Sequence, residues 1–119
     1  RSRIKGRLPR LYKWIQGWNE NDVTSAFAKA YNEIQPDIVH CFEMQLSGLP
    51  ILPYLQNLKT PLIYSSWGSD LFEFERLGVS QEEVTTFLKR ADYLITDCKR
   101  DQNIAIKNVS ILFMSKAYC

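Results

Sequence analysis

The sequence predicts an α/β domain, a three-layer Rossmann-like parallel sheet with flanking helices. Three observations carry that expectation. Short β-branched runs alternate with amphipathic helical stretches, the connections are too long for hairpins, and one run is almost without polar alternation, as in a strand buried on both faces. The order β, α, β, α, β, α then implies parallel strands joined by right-handed crossovers. A chain of 119 residues suits one domain burying roughly 65–70 % of its unfolded surface, enough for a core without disulfide or metal staples.

In chain order, residues 8–18 place Leu8, Leu11, Tyr12, Trp14, Ile15 and Trp18 on one arc of a helix, with Arg7, Arg10 and Lys13 opposite and Gly17 as a weak point. Residues 22–34 repeat Val23, Ala26, Phe27, Ala30, Tyr31 and Ile34 at threes and fours, with Asn21 or Asp22 as N-cap and a stop at Gln35-Pro36. Residues 37–42 (Asp-Ile-Val-His-Cys-Phe) form the first strand. Leu49, Leu52, Leu55 and Leu58 predict a helix over 46–58 whose entry is prolonged by Pro50 and Pro53. After Lys59-Thr60-Pro61, the run from Leu62 to Ser66 is the second strand, ending in Trp67-Gly68-Ser69-Asp70. Ser80-Gln-Glu-Glu is a capping box opening a helix through Val84, Phe87, Leu88 and Ala91. Residues 92–97 are the third strand, and 99–107 the last helix.

Composition excludes several function classes. The cysteines, Cys41, Cys98 and Cys119, are odd in number and widely spaced, and the single histidine cannot complete a zinc site with them. A cysteine nucleophile would have only His40 as its base. A reducing, cytoplasmic compartment is therefore expected, with no metal and no cofactor. No apolar stretch approaches the roughly 18–20 residues that cross a bilayer. Charge is unevenly spread: residues 1–18 carry six cations and no acid, leaving nine cations against thirteen acids in the rest. We divide the chain accordingly into a basic amphipathic segment, 1–18, and a domain, 19–119. The segment either packs on the domain or lies in the interface of an anionic membrane, peripheral to its inner face. Nucleic acid is disfavoured as a partner, because the acidic body would repel phosphate backbones.

The richest local signal is the end of the second strand. In open α/β sheets, ligands bind where strand carboxyl ends release backbone and polar groups into a crevice. There Gly68 lets the backbone approach a ligand, Ser69 donates, and Asp70 accepts from hydroxyls. The competing reading is that Ser69 or Asp70 caps the following helix. Glu43 and Gln45, past the first strand, face the same expected crevice, as do Asp97 and Cys98 past the third. His40, inside its strand, is a minor candidate, since a histidine in an apolar run is more often a packed, hydrogen-bonded residue.

An ordered series of segments resembles the N-terminal, acceptor-side lobe of the retaining, family 4 type of GT-B glycosyltransferases. Gln-Pro-Asp-Ile-Val-His-Cys-Phe-Glu (35–43) is similar to that family's first such strand, with small residues after it at Ser47-Gly48. Thr-Pro-Leu-Ile-Tyr-Ser-Ser-Trp-Gly-Ser-Asp (60–70) is similar to its strand and Gly-Ser-Asp turn, and Lys-Arg-Ala-Asp-Tyr-Leu-Ile-Thr-Asp-Cys (89–98) to its Arg-Ala-Asp strand. The resemblance implies transfer of a sugar from a nucleotide-sugar donor to a carbohydrate or lipid-linked acceptor without a metal. It also implies that this chain is an incomplete lobe without the donor-binding half, inactive alone. Trp67 departs from the histidine common at its position, and Cys98 from a serine. Tryptophan stacks on a sugar ring and still donates through its N–H. The alternative is a non-enzymatic Rossmann-like or flavodoxin-like binding domain, against which stands the lack of a Gly-x-Gly-x-x-Gly fingerprint after any strand.

Overall fold

The computed structural model describes residues 23–109. The basic segment 8–18 and the expected N-cap at Asn21 or Asp22 lie outside the described residues. Helix α1 (residues 23–34) opens the described chain, and its Phe27 and Tyr31 meet Tyr54 edge to face at centroid distances of 5.8 and 5.6 Å. Gln35 ends it in the left-handed region (φ 53°), its N–H donating to the Tyr31 carbonyl at 2.8 Å, and Pro36 prevents continuation.

Strands β1 (Val39–Phe42), β2 (Leu62–Ser65) and β3 (Tyr93–Ile95) pair in parallel in that spatial order. Cys41 stands opposite Tyr64, and Tyr64 opposite Leu94. Side chains on adjacent strands at matched register share a face, so these three and Leu62 present one buried surface. Met44, Leu55, Leu71, Val84, Phe87 and Leu88 close the core over it, with Tyr64 and Phe87 in an edge contact at 5.1 Å. The α/β class and a parallel sheet flanked by helices are as the sequence predicts. One element expectation is corrected: β1 is not buried on both faces. His40 and Phe42 are exposed, as are Tyr93 and Ile95 of β3, because the described helices bury their apolar sides against the Cys41 face.

The helix expected over 46–58 is three short pieces. A π-helical turn (Met44–Gly48) leads into a 3-10 turn (Leu49–Ile51) and then α2 (Leu52–Leu55). Pro50 and Pro53 each lie at the start of their own piece, where a missing N–H costs nothing, so each proline begins a segment instead of prolonging one. Gly48 has to be glycine: a Cβ there would sit 2.5 Å from the Phe87 ring and 3.1 Å from the Cys41 sulfur.

Arg90 fastens this connection to the sheet. Its Nε donates to the Leu55 carbonyl at 2.7 Å, and its Nη2 to the Leu58 and Thr60 carbonyls at 3.2 and 2.8 Å. Its Nη1 meets Asp92, whose Oδ2 also accepts the Leu62 N–H at 2.8 Å. The Arg-Ala-Asp segment thus joins the starts of β2 and β3. Helix α3 (Ser69–Phe72) follows β2, α4 (Gln81–Arg90) carries both hydrogen bonds of the expected capping box between Ser80 and Glu83, and α5 (Lys99–Asn108) follows β3. Among the described residues, no helix is long and apolar enough to cross a membrane.

Candidate functional site

The carboxyl ends of the three strands lie side by side. The ladder runs one residue beyond β1 and β2, through Glu43 N–H to the Ser65 carbonyl and Ser66 N–H to the Ile95 carbonyl, both at 3.0 Å. There it opens into a concavity of about 560 Å³ lined by Phe42, Ser65, Ser66, Trp67, Ile95, Thr96 and Asp97. Phe42 and Trp67 are exposed aromatic walls, Trp67 at 69 %, while Ser65 and Ser66 are buried at the base. This is the placement expected of a ligand crevice in an open parallel sheet.

Within the Trp67–Asp70 turn, adjacent residues separate by role. Gly68 adopts φ 85° and ψ −62°, a backbone region that excludes side chains in practice, and it throws Trp67 outward while starting α3. Ser69 is exposed in the first turn of α3. Asp70 faces inward, 2 % exposed. Its Oδ1 accepts the Trp67 N–H at 2.9 Å, and its Oδ2 accepts the Met44 N–H at 2.9 Å and the Tyr64 hydroxyl at 2.5 Å. Neither Ser69 nor Asp70 caps the helix: Gly68 is the cap residue and makes no side-chain bond. Asp70 instead ties two backbone N–H groups and the Tyr64 hydroxyl into one floor. Burial, and then the adjacent Asp70 carboxylate, push the Tyr64 phenol well above its ordinary pKa, so it remains a donor.

Glu43 and Gln45 are placed at the strand ends, and their polar atoms are engaged within the protein. Glu43, at φ 68°, receives the Gln45 and Leu46 N–H groups on its two carboxylate oxygens at 2.8 and 2.5 Å, capping the π-helical turn. Gln45 donates through Nε2 to the Leu77 carbonyl at 2.6 Å and lines a separate concavity with Leu49, Pro50, Leu77 and Gly78. That second hollow is remote from the Trp67 wall, and none of its lining is shared with the first. His40 is exposed on the open sheet face, its Nε2 2.8 Å from Ser65 Oγ and its ring 4.0 Å from that of Phe42. It thereby supports two residues of the concavity from outside it.

Behind the turn, α5 brings a feature that the sequence did not signal. Asp101, fully buried, accepts from Arg100 Nε at 2.9 Å and from Ser66 Oγ at 3.5 Å, while the Arg100 guanidinium lies 4.1 Å from the Phe72 ring centroid. Asp97, Cys98 and Asp101 hold their oxygen and sulfur atoms within 4.8 Å of one another, but Asp101 is already committed to this network. An acid in the first turn of a predicted helix was the available clue. Phe42 was also legible in principle, being two residues past His40 on the same strand face.

The buried floor and exposed wall together can hold a small polar molecule with an apolar side. Ser66 and Asp97 offer hydroxyl and carboxylate, and the two rings offer flat apolar faces. A family model described as glycosyl transferase 4-like matches residues 20–98. No curated protein and no solved structure matches the chain.

Proposed function

Because the chain belongs to the glycosyl transferase 4-like family, we propose that it supplies the acceptor-side surface of a sugar transfer from a nucleotide-sugar donor to a carbohydrate or lipid-linked acceptor, with retention of anomeric configuration. The observation that carries this reading is the concavity at the carboxyl ends of β1, β2 and β3, walled by Phe42 and Trp67 and floored by Ser65 and Ser66. Trp67, Ser66 and Asp97 contact the sugar. Gly68 aims Trp67, Ser69 borders the mouth, and Asp70, Glu43 and His40 position the walls. Gln45 holds the chain that follows β1.

Among the described residues no cation lines the concavity, so a donor diphosphate requires groups other than these, and these residues by themselves are expected to bind an acceptor without turnover. We assign the reaction to the cytoplasm, where residues 1–18 are available to an anionic membrane bearing a lipid-linked acceptor. The test is a glycan array probed with the 119-residue chain beside a nucleotide-binding titration with UDP- and GDP-hexoses. Retention of defined glycans, lost in Gly68→Val, is the expected result. Binding of nucleotide without any glycan would favour the non-enzymatic binding domain and overturn the reading.

A further inference from the structure

The lining of the concavity is selective in charge as well as shape. Its exposed aromatic surface is large, and its polar lining is three hydroxyls, Ser65, Ser66 and Thr96, with one carboxylate, Asp97. All three hydroxyls are engaged: Ser65 with His40, Ser66 with the buried Asp101, to which it donates at 3.5 Å, and Thr96 with the Cys98 backbone, to whose carbonyl it donates at 2.7 Å and from whose N–H it accepts at 3.1 Å. Asp97 and the exposed Trp67 indole are left to face a ligand. Asp97 makes no ion pair among the described residues. Arg100, a cation bordering this region, is bound to the buried Asp101 and stacked on Phe72, so its charge is directed first at Asp101 and not at Asp97.

Such a site attracts a ring with an apolar C–H face and hydroxyls around its edge, and repels an anion. Resting on the sugar-transfer reading above, we propose that the concavity takes an uncharged pyranose stacked on Trp67 and discriminates against sugars carrying a carboxylate or a phosphate. The indole face covers the C–H face of the ring, Asp97 accepts from ring hydroxyls, and the indole N–H donates to a sugar oxygen. A carboxylate or phosphate on the same ring meets the exposed Asp97 with like charge, a repulsion felt most at low salt.

The experiment follows the indole ¹⁵N–¹H signal of Trp67 in the full chain, told from those of Trp14 and Trp18 by its loss in Trp67→Phe. The probes are methyl glycosides of glucose, galactose, mannose and N-acetylglucosamine, each against its uronate or 6-phosphate. At least one neutral glycoside is expected to shift the signal, with its charged counterpart bound about 3-fold or more weaker at low salt, and Asp97→Asn is expected to narrow that gap. Read by backbone amide ¹⁵N–¹H shifts, since these variants carry no indole at position 67, Trp67→Ala should weaken the neutral sugar about 3- to 10-fold, and Trp67→Phe should recover part of the loss by restoring a stacking face. At 69 % exposure Trp67 contributes little to the core, so unchanged circular dichroism accompanies these variants. Charged sugars binding as well as neutral ones, or neutral binding indifferent to Trp67→Ala, would overturn the proposal. Glycans retained on the array without any Trp67 response would defeat this inference and leave the sugar-transfer reading standing, whereas no sugar binding in either experiment defeats both.

Discussion

Asp70 is the acid of the turn, yet all its described bonds run inward, to Met44, Tyr64 and Trp67. Asp70→Asn replaces one acceptor oxygen with a donor that faces donors, and should cost about 2–4 kcal/mol of stability by urea unfolding. The companion Tyr64 gives a pH signature. Its folded pKa is raised by burial, and next by Asp70, so its contribution is complete below the unfolded value of about 10 and is lost as pH rises past it. Cys41, also raised by burial, acts in the same direction. Stability should therefore fall more steeply above about pH 10 in the wild type than in Tyr64→Phe, measured by denaturant midpoints across that range, although the variant starts lower for want of the hydroxyl bond. The position of the turn at a strand end was legible, because glycine and small polar residues after a β-branched run have a local cause. The inward aim of Asp70 was not, since two of its three partners stand six and twenty-six residues away and no periodicity connects them. Glu43 and Gln45 were likewise placed correctly at the strand end but are held by backbone groups that the sequence does not reveal.

At the level of elements, legibility followed how local the determinants are. The capping box at Ser80 was readable because both of its bonds span three residues, and both are present. Ser80→Ala should destabilise by about 1 kcal/mol, seen as a lower urea midpoint with an unchanged slope. The leucine spacing over 46–58 suggested one helix, but the two prolines each restarted the chain, and a spacing argument counts side chains without counting N–H groups. Strand β1 read as buried on both faces because its residues are apolar. Burial depends on what packs above the sheet, and the described helices cover only the Cys41 side. The Arg-Ala-Asp segment was recognised as a pattern, while its physical purpose, Arg90 joining three carbonyls and Asp92, emerged only from the fold. Arg90→Lys should cost about 1–3 kcal/mol by thermal or urea unfolding, because one ammonium cannot reproduce the guanidinium fork.

For the whole molecule, the sequential strand order places three strand ends in one row, so residues far apart in the chain, Phe42, Trp67 and Asp97, share a single hollow. The charge division remains a proposal about the basic segment. A peptide of residues 1–20 should bind anionic vesicles more tightly than neutral ones and more tightly than single-stranded DNA, read by tryptophan fluorescence; equal indifference to all three would leave only packing on the domain. The inward Asp70 has a further consequence for ancestry. A descendant of this gene that no longer bound a ligand at its strand ends would still be selected to keep that acid, because the fold depends on it, whereas the outward Trp67 would be free to drift. A genome survey that sorted sequences by the acid alone would count folded relics among ligand-binding members, and the residue at the Trp67 wall is the better witness of use.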